Sequence, residues 1–312
     1  MEYVQLKNSD INVSRLCMGC CQLGQHGWGV VKEQDLICTV SCAVDSGINF
    51  FDTADTYGLG KSEETLAKAL DDKRYGVIIA TKFGVRVESG KTYYDNSPEW
   101  IETALAGSLR RLNRDYVDLY QIHYRDNVTP LDAIIDVLEK LKEKGLIRCY
   151  GFSNARDGDI LGLKPYAGKF ASMQNEYSLA CRDNESILTT VASELDVTPM
   201  TWGSLGQGIL TGKYDKDVIF SDDDRRNRDV YINFHGEKLL KNLNIVEAMK
   251  PIAEKHRVSL SAVAVRFILD NLADSVILVG AKRSSQITDN IGAMNWTLED
   301  YEINELCNVS EG

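Results

Sequence analysis

The chain has 312 residues, 44% hydrophobic and 26% charged, with 35 basic against 46 acidic residues and a net charge of −11. This is an ordinary composition for a folded water-facing chain, and its acidic balance argues against nucleic-acid partners, whose binders present a basic face. No stretch nears the roughly 18 apolar residues of a membrane span. The opening Met1-Glu2-Tyr3-Val4-Gln5-Leu6-Lys7 has no apolar secretory core, and eight cysteines in so long a chain suggest a reducing cytoplasmic setting rather than a disulfide scaffold.

Residues 4–6 and 11–13, with Asn8-Ser9-Asp10 between them, read as a small β-hairpin that would cap the bottom of a barrel. A strand-like run over 14–19 follows and leads into Cys17, Cys20 and Cys21. That C-x-x-C-C group reads as small residues packing at a strand end, with a metal or redox role as the alternative. The run 48–53 is the second strand, and Ser62 then precedes a helix through Leu66 and Leu70. After the run 77–83, Ser97-Pro98 is a helix start, Ser as cap and Pro at the first helical position. Ile101, Leu105, Leu109 and Leu112 then repeat at helical spacing and make one apolar face. Residues 116–123 are the next strand, and Thr129-Pro130 repeats the start signal for a helix carrying Leu131, Ile134, Ile135, Leu138 and Leu141. Gly145 is placed to close that helix.

Runs 147–153, 170–177, 198–205 and 275–280 complete a set of eight strands, with helices expected over 186–195, 237–255, 259–271 and 284–292. Residues 214–235, which include Asp222-Asp223-Asp224 and Arg225-Arg226-Asn227-Arg228, form a long polar stretch: either a lid over a site, with Arg226 closing on it, or a solvated charge run. Strands alternating with helices argue for a parallel sheet covered by helices. Eight such units predict an α/β (β/α)8 TIM barrel as one domain over 1–312, a fold that needs about 250 residues.

Asp52, Tyr57, Lys82 and His123 stand at or just past the ends of three successive strand-like runs. In a parallel barrel those ends share one mouth, where the fold builds its active sites. A phenol is a poor acid at neutral pH because its pKa lies near 10. The expectation is that the Lys82 ammonium lowers it, that Asp52 holds Lys82, and that His123 donates to a carbonyl oxygen. Such a set suits carbonyl reduction by hydride, with Tyr57 supplying the proton. His26, Trp28, Tyr124 and Arg125 lie on mouth loops and are the candidate substrate walls. No G-x-G-x-x-G follows an early strand, so a Rossmann cofactor site is not expected.

The segment Gly47-Ile48-Asn49-Phe50-Phe51-Asp52-Thr53-Ala54, continuing through Tyr57-Gly58 and Gly60-Lys61-Ser62-Glu63, resembles the signature of the aldo-keto reductases. Ala80-Thr81-Lys82, Gln121-Ile122-His123, Gly151-Phe152-Ser153-Asn154 and Gly208-Ile209-Leu210-Thr211-Gly212-Lys213 follow in that family's order, and the chain is most similar to its bacterial inositol- and sugar-related branch. The resemblance implies that Ser153, Asn154 and Gln174 hold the nicotinamide carboxamide and that Trp202 stacks on its ring. It also implies that Gly203, Leu205, Gly206 and Lys213 follow the pyrophosphate, and that Gly280, Lys282, Gln286, Asp289 and Asn290 meet the adenosine end. Gly203-Ser204 replaces the family's usual Ser-Pro, and Gln286 stands where many members carry an Arg for the 2′-phosphate. Lys282 and Arg283 can still grip that phosphate, so NADP(H) is the expected cofactor, with NAD(H) as the alternative. The resemblance thus implies a small carbonyl or alcohol as substrate and no metal. A second reading is a cofactor-binding regulatory subunit on the same barrel, like the potassium-channel β subunits, although the barrel pattern begins almost at Met1. Oligomeric state is left open.

Overall fold

A hairpin of β1 (Tyr3–Gln5) and β2 (Asn12–Ser14) opens the chain in the computed structural model, which describes residues 1–311. Then come β3 (Leu16–Gly19), β4 (Phe50–Asp52), β5 (Ile78–Phe83), and a second antiparallel hairpin of β6 (Val85–Glu88) and β7 (Lys91–Tyr94). The remaining strands are β8 (Val117–Ile122), β9 (Ile147–Ser153), β10 (Ser172–Glu176), β11 (Thr198–Trp202) and β12 (Val276–Gly280). Strands β3, β4, β5, β8, β9, β10, β11 and β12 pair in parallel in that order and close back on β3. The helices are α1 (Glu33–Asp45), α2 (Lys61–Leu70), α3 (Pro98–Leu112), α4 (Leu131–Glu143), α5 (Asp157–Leu163), α6 (Ala192–Leu195), α7 (Gly236–His256), α8 (Leu260–Asn271), α9 (Ser284–Ile291) and α10 (Asp300–Ser310). The expected (β/α)8 barrel is the fold.

Strand alternation decides what fills the barrel. Phe50, Ala80, Leu119, Cys149, Met200 and Val276 form one buried apolar cluster with Leu6, Ile11 and Val13 of the first hairpin. Successive side chains on a strand point to opposite faces at about 3.3 Å per residue, so the residue two further on points the same way, about 7 Å higher. Two residues beyond Phe50, Ala80, Leu119 and Met200 stand Asp52, Lys82, Gln121 and Trp202. The barrel therefore carries a polar layer directly above an apolar one. The hairpin seals the bottom as expected. Its turn is fixed by Asn8, whose Nδ2 donates to the carbonyls of Phe170 (2.9 Å) and Asp196 (2.8 Å), just before β10 and β11.

Local signals explain most helix ends. The Ser97 hydroxyl accepts the Trp100 N–H (3.3 Å) and Pro98 begins α3. Gly145 adopts φ 70° and closes α4, with the Leu146 N–H returning to the Leu141 carbonyl at 3.0 Å. Thr129 does not cap α4, because its hydroxyl donates instead to Asp126 at 2.6 Å. Residues 186–195 begin as a π-turn over Ile187–Val191 before α6. Strand β11 ends at Trp202 rather than Leu205, and a 3-10 turn over Gly206–Thr211 follows. Helices α1, α5 and α10 and the β6–β7 hairpin were not expected from the sequence pattern. Residues 214–235 contain only short 3-10 turns, at Arg225–Asn227 and Ile232–Phe234, and lie across the mouth: the Arg225 N–H donates to the Gly27 carbonyl at 3.0 Å.

Candidate active site

The polar layer is built around one buried ion pair. The Lys82 ammonium donates to the Asp52 carboxylate and to the Thr53 carbonyl (2.9 Å). Oδ2 of Asp52 accepts Nε2 of Gln121 at 3.0 Å and Nε2 of Gln174 at 2.9 Å. The Lys82 and Asp52 side chains are 1% and 2% exposed. Two charges this deep each carry a desolvation penalty of roughly several kcal/mol, which pairing and full hydrogen bonding must offset. The two amides provide that satisfaction and leave the ammonium rigid. Gln121 was missed in the sequence reading, although its place on β8, two residues before His123, points it inward.

Tyr57 sits above this pair on the loop between β4 and α2. The Tyr57 N–H donates to the Ala54 carbonyl (3.2 Å), and its own carbonyl accepts from Ser62 (3.1 Å). The next residue, Gly58, has φ 62°, and a Cβ there would lie 2.3 Å from the Gly24 carbonyl oxygen. Only glycine lets the Tyr57 loop approach the β3 loop so closely. Nζ of Lys82 is 5.2 Å from the Tyr57 ring centroid, and the His123 ring meets that ring edge-on at 5.9 Å. His123 also stacks on Tyr124 at 5.0 Å, and its Nδ1 is buried with no partner among the described residues.

Electrostatics at this point differ from the sequence expectation. Burial pushes the Tyr57 phenol well above its ordinary value, with the neighbouring Cys21 thiol and Asp52 adding to the rise. Burial outweighs the pull of Lys82, whose charge is shared with Asp52 and the Thr53 carbonyl. Burial first, and Lys82 second, hold His123 well below the usual imidazole range. At neutral pH the pair is therefore a protonated phenol beside a neutral imidazole.

A cavity of about 420 Å³ starts at Asp52, Tyr57 and His123 and runs past Ser153, Asn154, Gln174 and Trp202. It continues over Gly203, Leu205 and Lys213 to Gly280, Lys282 and Gln286, with Trp28 and Tyr124 on its walls. The Trp202 ring is pinned by its Nε1–H, which donates to Oδ1 of Asn154 at 3.1 Å, while Nδ2 of Asn154 donates to the His123 carbonyl at 3.0 Å. Lys82 lies beneath the cavity, fully buried. Gly206, Asp289 and Asn290 do not reach its wall. Gly206 and Asn290 are buried behind it, and Asp289 is exposed. His26 faces a second cavity, and Arg125 turns away to the Thr129 carbonyl (2.8 Å). Gln174 lines the cavity, but its Nε2 is spent on Asp52.

The sequence reading missed Cys21, Gln207, Tyr214 and Arg225 on the cavity wall. Three of these lie in short 3-10 turns and Tyr214 in irregular chain, where no period places a side chain. Arg226 is clamped rather than free: it forms a fork with Asp224 (2.9 and 2.6 Å) and donates to the Tyr214 hydroxyl (2.6 Å). Nζ of Lys282 donates to the Trp28 carbonyl at 2.7 Å, tying the loop after β12 to the loop after β3. Burial, with Arg226 adding repulsion, lowers the Lys282 ammonium from its ordinary range. Cys17 lies in the barrel interior and Cys20 in the outer core, and burial pushes both thiols well up, while Cys21 accepts the Trp28 indole N–H at 3.4 Å.

One end of the cavity thus offers a flat ring, a serine hydroxyl and two amides, and the other offers the cations Lys213 and Lys282. That donor set fits a molecule with an amide-bearing ring at one end and phosphates at the other, as in a nicotinamide dinucleotide. Comparison with known proteins agrees. The model of the Aldo/keto reductase family matches residues 15–311. The chain is 31% identical to the aldo-keto reductase YhdN of Bacillus subtilis, covering 100% of this chain and 94% of that one. It is 29% identical to an NADH-specific methylglyoxal reductase of Escherichia coli, covering 100% of this chain and 99% of that one. Among solved structures, a glycerol dehydrogenase of Gluconobacter oxydans superposes with a TM-score of 0.89 at 31% identity, covering 98% of this chain and 94% of that one. The chain belongs to the aldo-keto reductase family, nicotinamide-dependent oxidoreductases that interconvert carbonyls and alcohols.

Proposed function

We propose that Tyr57 is the proton donor in reduction of a small aldehyde or ketone, and the proton acceptor in oxidation of the alcohol. The observation that carries this reading is the convergence, at the Asp52 end of the cavity, of a protonated phenol, a neutral imidazole and a buried ion pair. A bound nicotinamide supplies or takes the hydride. The Tyr57 hydroxyl gives its proton to the carbonyl oxygen as negative charge develops there. The neutral His123 ring offers one N–H to orient that oxygen. Lys82, fixed by Asp52, offsets the charge left on the phenol oxygen. Gln121 and the Nε2 of Gln174 hold the Asp52 carboxylate in place.

Ser153 and Asn154 are assigned to the carboxamide and Trp202 to the face of the ring. Lys213, with Gly203, Leu205 and Gly280 lining its path, is assigned to the phosphates. We favour NADP(H) over NAD(H), because Arg283 is exposed with no carboxylate partner among the described residues and Lys282 stands beside it. The NADH-specific name of one relative is the reason to measure both. All eight thiols are free, which supports the reducing cytoplasmic setting expected from the sequence.

The test is turnover of purified protein with NADPH and NADH across aliphatic aldehydes, aromatic aldehydes, sugars and inositols. Cofactor oxidation with equimolar alcohol formed in at least one class is the expected result. Tight cofactor binding with no turnover in any class would favour the regulatory reading instead.

A further inference from the structure

A second cavity, of about 330 Å³, opens on the other side of Tyr57 and His123. Cys21, Tyr57, His123, Tyr124 and Arg225 border both cavities, so the phenol and the imidazole form the waist between them. A carbonyl within reach of both the Tyr57 hydroxyl and a ring on Trp202 lies at that waist, and the second cavity is the space left for the rest of the substrate. Its size is at the small end of ligand pockets, about 300–1,000 Å³, which suits a molecule of a few carbons.

The walls of this chamber are polar and aromatic. The hairpin of β6 and β7 contributes Thr92 and Tyr94, and the Tyr94 ring packs against Tyr124 at 5.4 Å. Arg225 supplies the charge. Its backbone N–H is held by the Gly27 carbonyl (3.0 Å), one guanidinium nitrogen donates to the His26 carbonyl (2.8 Å), and the head lies 5.1 Å from the Trp28 ring centroid. Those contacts fix the guanidinium and leave its other nitrogens undonated among the described residues. The adjacent carboxylate, Asp224, is taken by Arg226, and no described carboxylate pairs with Arg225. In a chain of net charge −11, a half-buried, immobilised and unneutralised guanidinium beside the reacting groups stands out. Its planar fork matches a carboxylate or a phosphate.

We propose that the second cavity takes the end of the substrate remote from the carbonyl, and that Arg225 selects substrates carrying a carboxylate or phosphate there. This rests on the carbonyl-reductase reading of Tyr57. The test compares kcat/KM in matched pairs: 4-oxobutanoate against its methyl ester, and glyceraldehyde 3-phosphate against glyceraldehyde. The wild-type protein should prefer the anionic member of one pair by tenfold or more, mainly through KM, and the pair that shows it tells carboxylate from phosphate. Arg225→Gln should bring that ratio down at least tenfold, and Arg225→Lys should keep part of it as a point charge.

Equal kcat/KM within both pairs, or a ratio unchanged in Arg225→Gln, overturns the proposal while leaving carbonyl reduction intact. An Arg225→Gln defect that appears in the Kd for NADPH, with the ratio unchanged, puts the side chain on the cofactor and likewise overturns it. No turnover of any of the four compounds by a protein that reduces another class of the turnover panel overturns this inference alone, whereas no turnover across that whole panel would remove the carbonyl-reductase reading with it.

Discussion

Replacing Lys82 by Met keeps most of the side-chain volume and removes the ammonium from beneath the mouth. The Asp52 side chain is 2% exposed, so the carboxylate left behind has little contact with water. Removing one partner of a buried ion pair costs about 3–5 kcal/mol. Asp52 would keep its two amide donors, Gln121 at 3.0 Å and Gln174 at 2.9 Å. That places the cost at the lower end, about 3 kcal/mol. At about 2.1 cal/mol/K per residue, a chain of 312 residues moves its Tm by about 1.5 °C for each kcal/mol, so the melt should fall by about 5 °C. Adding Asp52→Asn to the same protein removes the stranded charge and should return most of the loss. Thermal melts of the single and double variants at neutral pH make the check. A single variant within about 1 kcal/mol of wild type, or a double variant no more stable than the single, would refute the description of this pair as a buried charge held by two amides.

Three further outcomes are expected. Gly58→Ala puts a Cβ 2.3 Å from the Gly24 carbonyl oxygen at φ 62°, so the Tyr57 loop must move. The left-handed conformation costs about 1–2 kcal/mol, and kcat/KM should drop by about a hundredfold, the scale of a 1 Å misplacement; unchanged turnover would refute the clash. Asp55, two residues before Tyr57, has its pKa raised to about 8, first by burial and then by Glu63, and its Oδ1 is sealed without a partner. The folded state therefore holds this proton longer than the unfolded state, and stability is lost as pH rises from about 4, where an unperturbed Asp titrates, through about 8. Asp55→Asn should gain in Tm over wild type increasingly across that window and level off above it; a constant difference from pH 5 to 9 would contradict the assignment. Arg283→Ala should weaken NADPH by about tenfold, the worth of about 1.4 kcal/mol, and NADH much less. Equal losses in direct titrations would remove its 2′-phosphate role.

The polar layer was legible because its residues sit at strand ends, where period two tells which side chains face inward. Asp52, Lys82 and His123 could be placed by that rule alone, and Gln121 obeys it too, two residues ahead of His123. The rule says nothing about who bonds to whom, so the sequence reading gave Gln174 wholly to the cofactor, whereas half of its amide serves Asp52. It also credited Lys82 with a lowered Tyr57 pKa. Burial governs that group, and burial depends on how the loops pack above it. Helix α1 escaped notice because Lys32 provides no side-chain cap and Thr39, Val40 and Val44 blur the helical signal with β-branched residues. The chamber wall at Thr92 and Tyr94 escaped for a related reason: an outlying hairpin contributes nothing to the barrel's strand count. Loop residues Cys21, Arg225 and Gln207 have no period at all, and only the docking of the 214–235 segment onto Gly27 brings Arg225 to Tyr57.

The central claim is that Tyr57 moves the proton while the nicotinamide moves the hydride. Tyr57→Phe removes one oxygen and leaves the ring, Lys82 and the cavity in place. With the carbonyl substrate found in the turnover panel and saturating NADPH, the rate of reduction in a single turnover should fall by at least about a hundredfold, the least expected from losing a general acid. The Kd for NADPH should stay within about twofold, or about 0.4 kcal/mol. A Tyr57→Phe protein that reduces the carbonyl at near wild-type rate, with the same cofactor affinity, would contradict the account.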